Sequence, residues 1–167
     1  SNAQNLEAYQ HAMPVLVSSW REKWGQSFPF YYVQLSGISR PSWPYFRDMQ
    51  RQLQLVIPNS GMAVSADLGD SLDVHPTRKK EVGERLALLA LKQTYGKVGR
   101  ASGPVILSAL QINDEVKLTF GEATELKAAG GGAIIGFDLV SDKGEHLKVS
   151  ARVKGLTIYL AIPPGKK

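Results

Sequence analysis

Phe28-Pro29-Phe30-Tyr31-Tyr32-Val33-Gln34-Leu35 is a nearly continuous apolar and aromatic run, closed by Ser36-Gly37. A strand with one wet face alternates apolar and polar residues; this run does not, so it reads as a parallel strand covered on both faces. Such cover comes from helices, and helical spacing stands on either side of the run. Upstream, Leu6, Tyr9, Met13, Leu16 and Trp20 recur at intervals of three and four, with Pro14 expected to kink or restart the helix. Downstream, Pro41-Ser42-Trp43-Pro44 gives a stop and a helix start. Phe46, Met49, Leu53 and Val56 then keep the helical interval until Pro58-Asn59-Ser60-Gly61 ends it. A second short strand, Met62 to Ala66, leads into an acidic loop, and Val82, Leu86 and Leu89 mark a helix expected to start at Thr77. The order helix, strand, helix, strand, helix is a doubly wound α/β pattern.

Near Gly96 the chain changes character. Val116, Leu118 and Phe120 alternate with Glu115, Lys117 and Thr119, and Asn113-Asp114 and Lys154-Gly155 offer hairpin turns. The expected strands are 105–112, 115–120, 133–140, 146–153 and 156–162, enough for a small antiparallel sandwich or a piece of one. The sequence thus divides into an α/β region, 1–97, and an antiparallel β region, 98–167.

A length of 167 residues with 43% hydrophobic and 21% charged residues fits one ordinary globular domain or two small ones. The lack of Cys excludes a disulfide scaffold, a thiol nucleophile and a Cys-ligated zinc. The net charge of +5 is scattered, with short basic clusters only at Arg78-Lys79-Lys80 and Lys166-Lys167, so no nucleic-acid partner is expected. No apolar run approaches the ~20 residues of a membrane span, and no charged and apolar leader opens the chain, so any signal peptide would lie upstream.

Chemistry-bearing residues concentrate in one place: Asp67, Asp70, Asp73 and His75 fall within nine positions on the loop beyond the second strand. Open α/β sheets place their sites at such strand ends, and an imidazole beside carboxylates has the orienting partner that a general base needs. A solvated, helix-capping turn would have the same composition. A metal site is the poorer reading, because the aspartates step by three where a calcium loop steps by two. Gly69-Asp70-Ser71-Leu72 spells the string that names one branch of serine esterases. In those enzymes nucleophile and histidine lie far apart in sequence, whereas Ser71 and His75 share a loop, so Ser71 reads as a decoy. No Gly-x-Ser-x-Gly elbow occurs elsewhere. His11 and His146 read as surface or packing residues, and Gly130-Gly131-Gly132 as a turn without a phosphate-binding context. Trp20, Trp24, Trp43 and the Tyr31-Tyr32 pair could line a sugar surface, with interior packing the default.

Several of these segments, in the same order, resemble the second half of the sialate O-acetylesterases. They are Trp20-Arg21-Glu22-Lys23-Trp24-Gly25, the run 28–35, Trp43 through Arg47 with Gln50, Asn59-Ser60-Gly61-Met62-Ala63-Val64, Asp67-Leu68-Gly69-Asp70, Asp73-Val74-His75-Pro76, and Lys80-Glu81-Val82-Gly83-Glu84-Arg85-Leu86-Ala87. The likeness is dense over 1–97 and looser over 98–167. It implies the C-terminal part of a flavodoxin-like (α/β/α) SGNH-hydrolase sheet followed by a small antiparallel β-sandwich. It also implies a serine esterase acting on O-acetylated sialic acid or a related acetylated sugar, in a periplasmic or secreted setting, without cofactor. By the same resemblance His75 matches the catalytic base; Asp73 is the first choice for the carboxylate that orients it, with Asp70 the competitor. If Ser1-Asn2-Ala3 is native, Asn2 corresponds to that family's oxyanion-hole Asn; if it is the remnant of an expression tag, the match is accidental.

The block that carries the family's nucleophile has no counterpart in this sequence. The expectation is therefore a C-terminal fragment that supplies base and orienter but no activated serine, inactive alone and unlabelled by a serine-directed phosphonate. Its partner would be the upstream half of the same enzyme, or a second copy through self-association at an exposed sheet edge. The alternative is a non-catalytic carbohydrate-binding or structural module.

Overall fold

A computed structural model describes residues 4–165. The chain falls into two compact units that divide between Ser102 and Gly103. The first contains α1 (Leu6–Trp24), β1 (Phe30–Val33), α2 (Trp43–Val56), β2 (Ser60–Ala63), a 3-10 turn (Ala66–Leu68) and α3 (Lys79–Gln93).

Asn5 opens α1, its side chain accepting from the Ala8 N–H at 3.2 Å, and Gly25 closes it in the left-handed region that glycine tolerates. The helix does not restart at Pro14: α1 runs through it as one element. Pro14 has no donor for the Gln10 carbonyl, but Gln10 is exposed, so water can reach it. Met13 and Val17 of α1 pack with Trp43, Phe46, Met49 and Leu53 of α2 and with Tyr32, Ile57 and Met62 in one core. Side chains alternate across a strand, and Tyr31 points the other way, its hydroxyl 2.7 Å from Thr94 Oγ1 just past α3. Helices α1 and α2 thus share one face of the sheet, and α3 lies on the other.

The sheet is one parallel pair, β1 with β2, registered from Phe30 opposite Ser60 to Val33 opposite Ala63. Both strands are shorter than the sequence suggested. The ladder continues past Val33 only as far as the Gln34 N–H, which donates to Ala63 O at 2.9 Å. On the edge of β1 away from β2, Gln50, buried on α2, holds the backbone: its Nε2 donates to Val33 O at 3.3 Å and its Oε1 accepts from Leu35 N at 2.8 Å. Gln50 O also accepts from the Tyr32 hydroxyl at 2.7 Å, and burial pushes that phenol's pKa up, so it stays a donor. Beyond β2, Ser65 turns the chain away, donating its hydroxyl to Gln34 O at 2.5 Å. Val33 is 37% exposed, so β1 is not buried as deeply as its composition implied, because only one of its edges has a neighbouring strand.

Gln50→Leu should lower stability by about 2 kcal/mol, because a side chain of similar volume leaves the Val33 carbonyl and Leu35 amide unpaired. Urea unfolding monitored by circular dichroism would check this; an unchanged midpoint would show that the carboxamide contributes nothing.

The second unit holds a four-stranded antiparallel sheet in the order β3-β4-β8-β7, made of β3 (Val105–Ile112), β4 (Glu115–Gly121), β7 (Ala151–Lys154) and β8 (Thr157–Ala161). It also holds a separate antiparallel pair, β5 (Asp138–Val140) with β6 (His146–Lys148). Leu118, Ile158 and Leu160 form its core, with Phe137 and Leu139 packed against them. The single strand expected at 146–153 is two strands with different partners, β6 on β5 and β7 on β8. The expected strand 133–140 contracts to β5, with one bridge from Ile134 to Ala151; Gly136, at φ 96°, breaks the extended run between them. Among the described residues no helix is long and apolar enough to cross a membrane.

Candidate active site

The chain leaving the C-terminal end of β2 makes a loop from Val64 to Arg78 that carries the aspartates and His75. Three devices fix its course. The first is Arg85 of α3, whose guanidinium grips Asp67 with both forks, Nη1 to Oδ1 at 2.6 Å and Nη2 to Oδ2 at 2.7 Å, while Nη1 also donates to Val64 O at 2.6 Å. The Arg85 hydrogen bonds hold the Asp67 carboxyl below the usual carboxylate range. The second is a close backbone approach: Gly69 lies directly against Gly37, so that a Cβ on Gly69 would strike Gly37 N and O and sit 2.7 Å from its carbonyl carbon. The third is the Ser39 N–H, which donates to Ser71 O at 3.0 Å. The loop after β1 therefore serves as the bed on which the loop after β2 lies.

On this bed Asp70 shapes the tip, its Oδ1 accepting from Leu72 N at 2.7 Å and Asp73 N at 3.2 Å. Asp73 then takes up His75: Oδ1 accepts from the His75 backbone N–H at 2.8 Å and lies 3.2 Å from the imidazole Nδ1. The His75 backbone N–H, joined by the imidazole, holds the Asp73 carboxyl below the usual range. An ionised carboxylate only accepts, so Nδ1 carries a proton toward Asp73, and in the neutral ring Nε2 carries the free lone pair. The pair is open to solvent, with the His75 side chain 86% and the Asp73 side chain 60% exposed. Among the described residues no serine hydroxyl is hydrogen-bonded to His75. Chemically the arrangement is an oriented base facing outward.

The four residues singled out in the sequence have distinct positions. Asp73 and His75 meet; Asp70 orders the backbone that leads into Asp73 and, among the described residues, makes no hydrogen bond to the imidazole; Asp67 is taken by Arg85. Ser71 contributes its carbonyl. Asn2 lies outside the described residues. His11 is exposed on α1, and His146 stands 3.7 Å from Asp138 Oδ2 in the β5–β6 pair. Among the described residues no group of three or more His, Cys, Asp or Glu converges where a metal could be held. Arg85, Gly37 and Ser39 were not singled out. Only Arg85 had a visible signal, as the one basic residue in the middle of the helix that follows the acidic loop.

Removing the Asp67 charge tests the Arg85 clamp. Both groups are partly in water, so Asp67→Asn should cost about 0.5–1 kcal/mol at neutral pH. The carboxyl is held low in the folded chain, so its contribution is complete above the ordinary carboxylate range and is lost as pH falls through the folded value. The variant's acid unfolding curve should be correspondingly shallower; identical acid limbs would contradict the clamp.

No protein-family model matches the sequence, and no curated protein matches it. The structure is similar to the crystal structure of a carbohydrate acetylesterase from Xanthomonas citri, with a TM-score of 0.86 and 29% identity over 95% of this chain. The match covers 38% of that enzyme's chain, so the present chain spans well under half of its length. The likeness relates this mixed α/β chain with its antiparallel sheet to the carbohydrate esterases.

Proposed function

We propose that this chain is the base-bearing part of a hydrolase that removes O-acetyl groups from sugars, with acetylated sialic acid or a related acetylated sugar as substrate. The observation that carries the reading is the His75–Asp73 pair, on a loop leaving the C-terminal end of a parallel strand, in a chain similar over 95% of its length to a carbohydrate acetylesterase. In this reading the first unit is the C-terminal part of a flavodoxin-like SGNH-hydrolase sheet. The parallel β1–β2 pair with helices on both faces supports it. The second unit is a small sandwich, supported by the packing of Leu139 against the core of the four-stranded sheet. The family resemblance supports a periplasmic or secreted setting.

The nucleophile is a serine on a segment outside this chain. Nε2 of His75 takes the hydroxyl proton as the serine oxygen attacks the acetyl carbonyl, and returns it to the sugar oxygen as the ester C–O bond breaks. Water then attacks the acetyl-serine by the same base, which releases acetate and restores the serine. Asp73 holds the ring in the tautomer that leaves Nε2 free and stabilises the imidazolium that forms in each half-reaction.

The test measures acetate release from an acetylated sialic acid by the chain alone and by the chain mixed with a serine-bearing segment of an acetylesterase. Release only from the mixture is expected, with a serine-directed phosphonate labelling the added segment and not this chain. Release by the chain alone would overturn the reading, as would silence from a mixture whose assembly is verified by light scattering.

A further inference from the structure

We propose that Arg40 and Arg47, whose guanidiniums gather at Trp43 where the loop after β1 enters α2, form a subsite for the carboxylate of an acidic sugar. That the ligand is a sugar rests on the esterase reading. That it is an anion rests on the distribution of charge in the first unit alone.

From Leu35 to Arg47 the chain carries two arginines and no acidic residue. Asp48, the next in line, is taken on both oxygens, by Arg51 Nε at 2.7 Å and by Gln52 Nε2 at 2.7 Å. The carboxylates of the neighbouring loop are also committed: Asp67 to Arg85, Asp70 to the Leu72 and Asp73 amides, and Asp73 to His75. Arg21, Arg51, Arg78, Arg85 and Arg152 each have a carbonyl or carboxylate oxygen within 2.8 Å. Arg40 and Arg47 differ. Among the described residues neither has a carboxylate partner, and the guanidinium of Arg47 reaches only Ser36 O, at 3.5 Å, the limit of a hydrogen bond.

Both groups are nevertheless held in place. The Arg40 guanidinium carbon stands 5.2 Å from the centroid of the Trp43 ring, and Arg40 O accepts from Trp43 N at 3.1 Å, which fixes the backbone beneath it. Trp43 is buried, with its indole N–H on Ser36 O, the carbonyl that Arg47 also approaches. The two cations therefore converge on one Ser36–Trp43 contact. Arg47 is half-buried, and burial pulls its guanidinium pKa down, so its charge carries a desolvation cost that no anion of the chain offsets. Like charges gathered in this way are stabilised by an anion shared between them. Planar guanidinium forks match the two oxygens of a carboxylate.

The position suits a substrate. Ser39, beside Arg40, donates to Ser71 O, and Gly37 lies against Gly69, so the arginines adjoin the seam along which the loop after β1 supports the His75 loop. On the esterase reading, a carboxylate seated there orients the sugar ring and selects which ester oxygen is presented to Nε2 of His75. A neutral sugar lacks that anchor.

The test is binding to the full chain, followed through the arginine Nε–Hε resonances, with the methyl glycosides of glucuronic acid and of N-acetylneuraminic acid as probes. The Arg40 and Arg47 signals should move, and Kd should rise about tenfold or more when the carboxylate is masked as its methyl ester. Both glycosides acting would assign the site to the carboxylate; one acting alone would identify the sugar as well. Arg40→Gln and Arg47→Gln should each weaken binding about tenfold with circular dichroism unchanged, and Arg47→Lys, which keeps the charge but not the fork, should recover part of the loss. Arg51→Gln, whose arginine is already held by Asp48, should leave Kd unaltered. Unmoved signals with both glycosides would overturn the proposal, as would equal binding of the methyl esters. Inorganic phosphate binding as tightly would also overturn it, by reducing the site to two unselective cations. Acetate release is not read. If the glycosides bind and the mixture with a serine-bearing segment releases no acetate, only the esterase reading falls; if acetate is released and neither glycoside binds, only the subsite falls.

Discussion

On the proposed esterase reading, replacing His75 by Ala in the chain mixed with a serine-bearing segment is expected to lower acetate release by about 10⁴-fold or more, while the thermal midpoint of the chain stays where it was. The imidazole projects into solvent, and among the described residues its hydrogen-bond partner is the exposed Asp73, so its removal opens no cavity and strands no buried partner. The same geometry ranks the two carboxylates. On the same reading Asp73→Asn removes the charge proposed to stabilise the imidazolium and should cost about 10³- to 10⁴-fold. Asp70→Asn keeps an amide oxygen able to accept from Leu72 and Asp73, and should cost a factor of a few at most. Acetate release and a melting curve on each variant check the set. A larger loss from Asp70→Asn than from Asp73→Asn would reassign the orienting role.

Gly69→Ala is expected to destabilise the first unit by about 3 kcal/mol and to displace the loop that carries His75. Backbone conformation is not the reason, because Gly69 sits at φ −85°, which alanine adopts freely. The reason is space: the added methyl would overlap the backbone of Gly37, and backbone cannot rotate aside as a side chain can. Gly37 is hemmed in similarly by Ala66 O, so the two loops cannot share the clash by shifting apart at one point. Urea unfolding gives the stability, and the His75 ring resonances give the loop position. A native midpoint with unmoved resonances would mean that the loops are looser than their contact implies.

The sequence discloses what is local and hides what is long-range. The stripe of α2 is legible because Phe46, Met49 and Leu53 repeat at the period of the helix and are residues that pack; on α1 only Met13 of the expected stripe is buried, beside Val17, which that stripe did not include, while Leu16 and Trp20 stay exposed. His75 and Asp73 are legible because two residues of spacing lets both the main chain and the ring of one reach the carboxylate of the other. Asp67 looked equivalent to its neighbours, and only folding shows that Arg85, eighteen residues on, neutralises it. Strand ends were overcalled for a related reason. Leu35 is as apolar as Val33, but Gln34 O, the next ladder acceptor, is taken by the Ser65 hydroxyl as the chain turns away, and no pattern within the run records that. In the β region, 146–153 alternates without a break, so periodicity does not reveal that its two halves serve different partners.

The three tryptophans divide in a way that makes the chain its own optical gauge. Trp43 is 2% exposed, with its indole N–H on Ser36 O at 2.7 Å, so it emits from a dry, fixed surrounding. Trp20 and Trp24 stack with centroids 6.4 Å apart, and Trp24 is 67% exposed, so their emission comes from water and is open to acrylamide. Unfolding should therefore red-shift mainly the Trp43 component. Acrylamide should quench Trp24 first and reach Trp43 only when the first unit opens, so two single-tryptophan variants would separate surface quenching from unfolding in one cuvette.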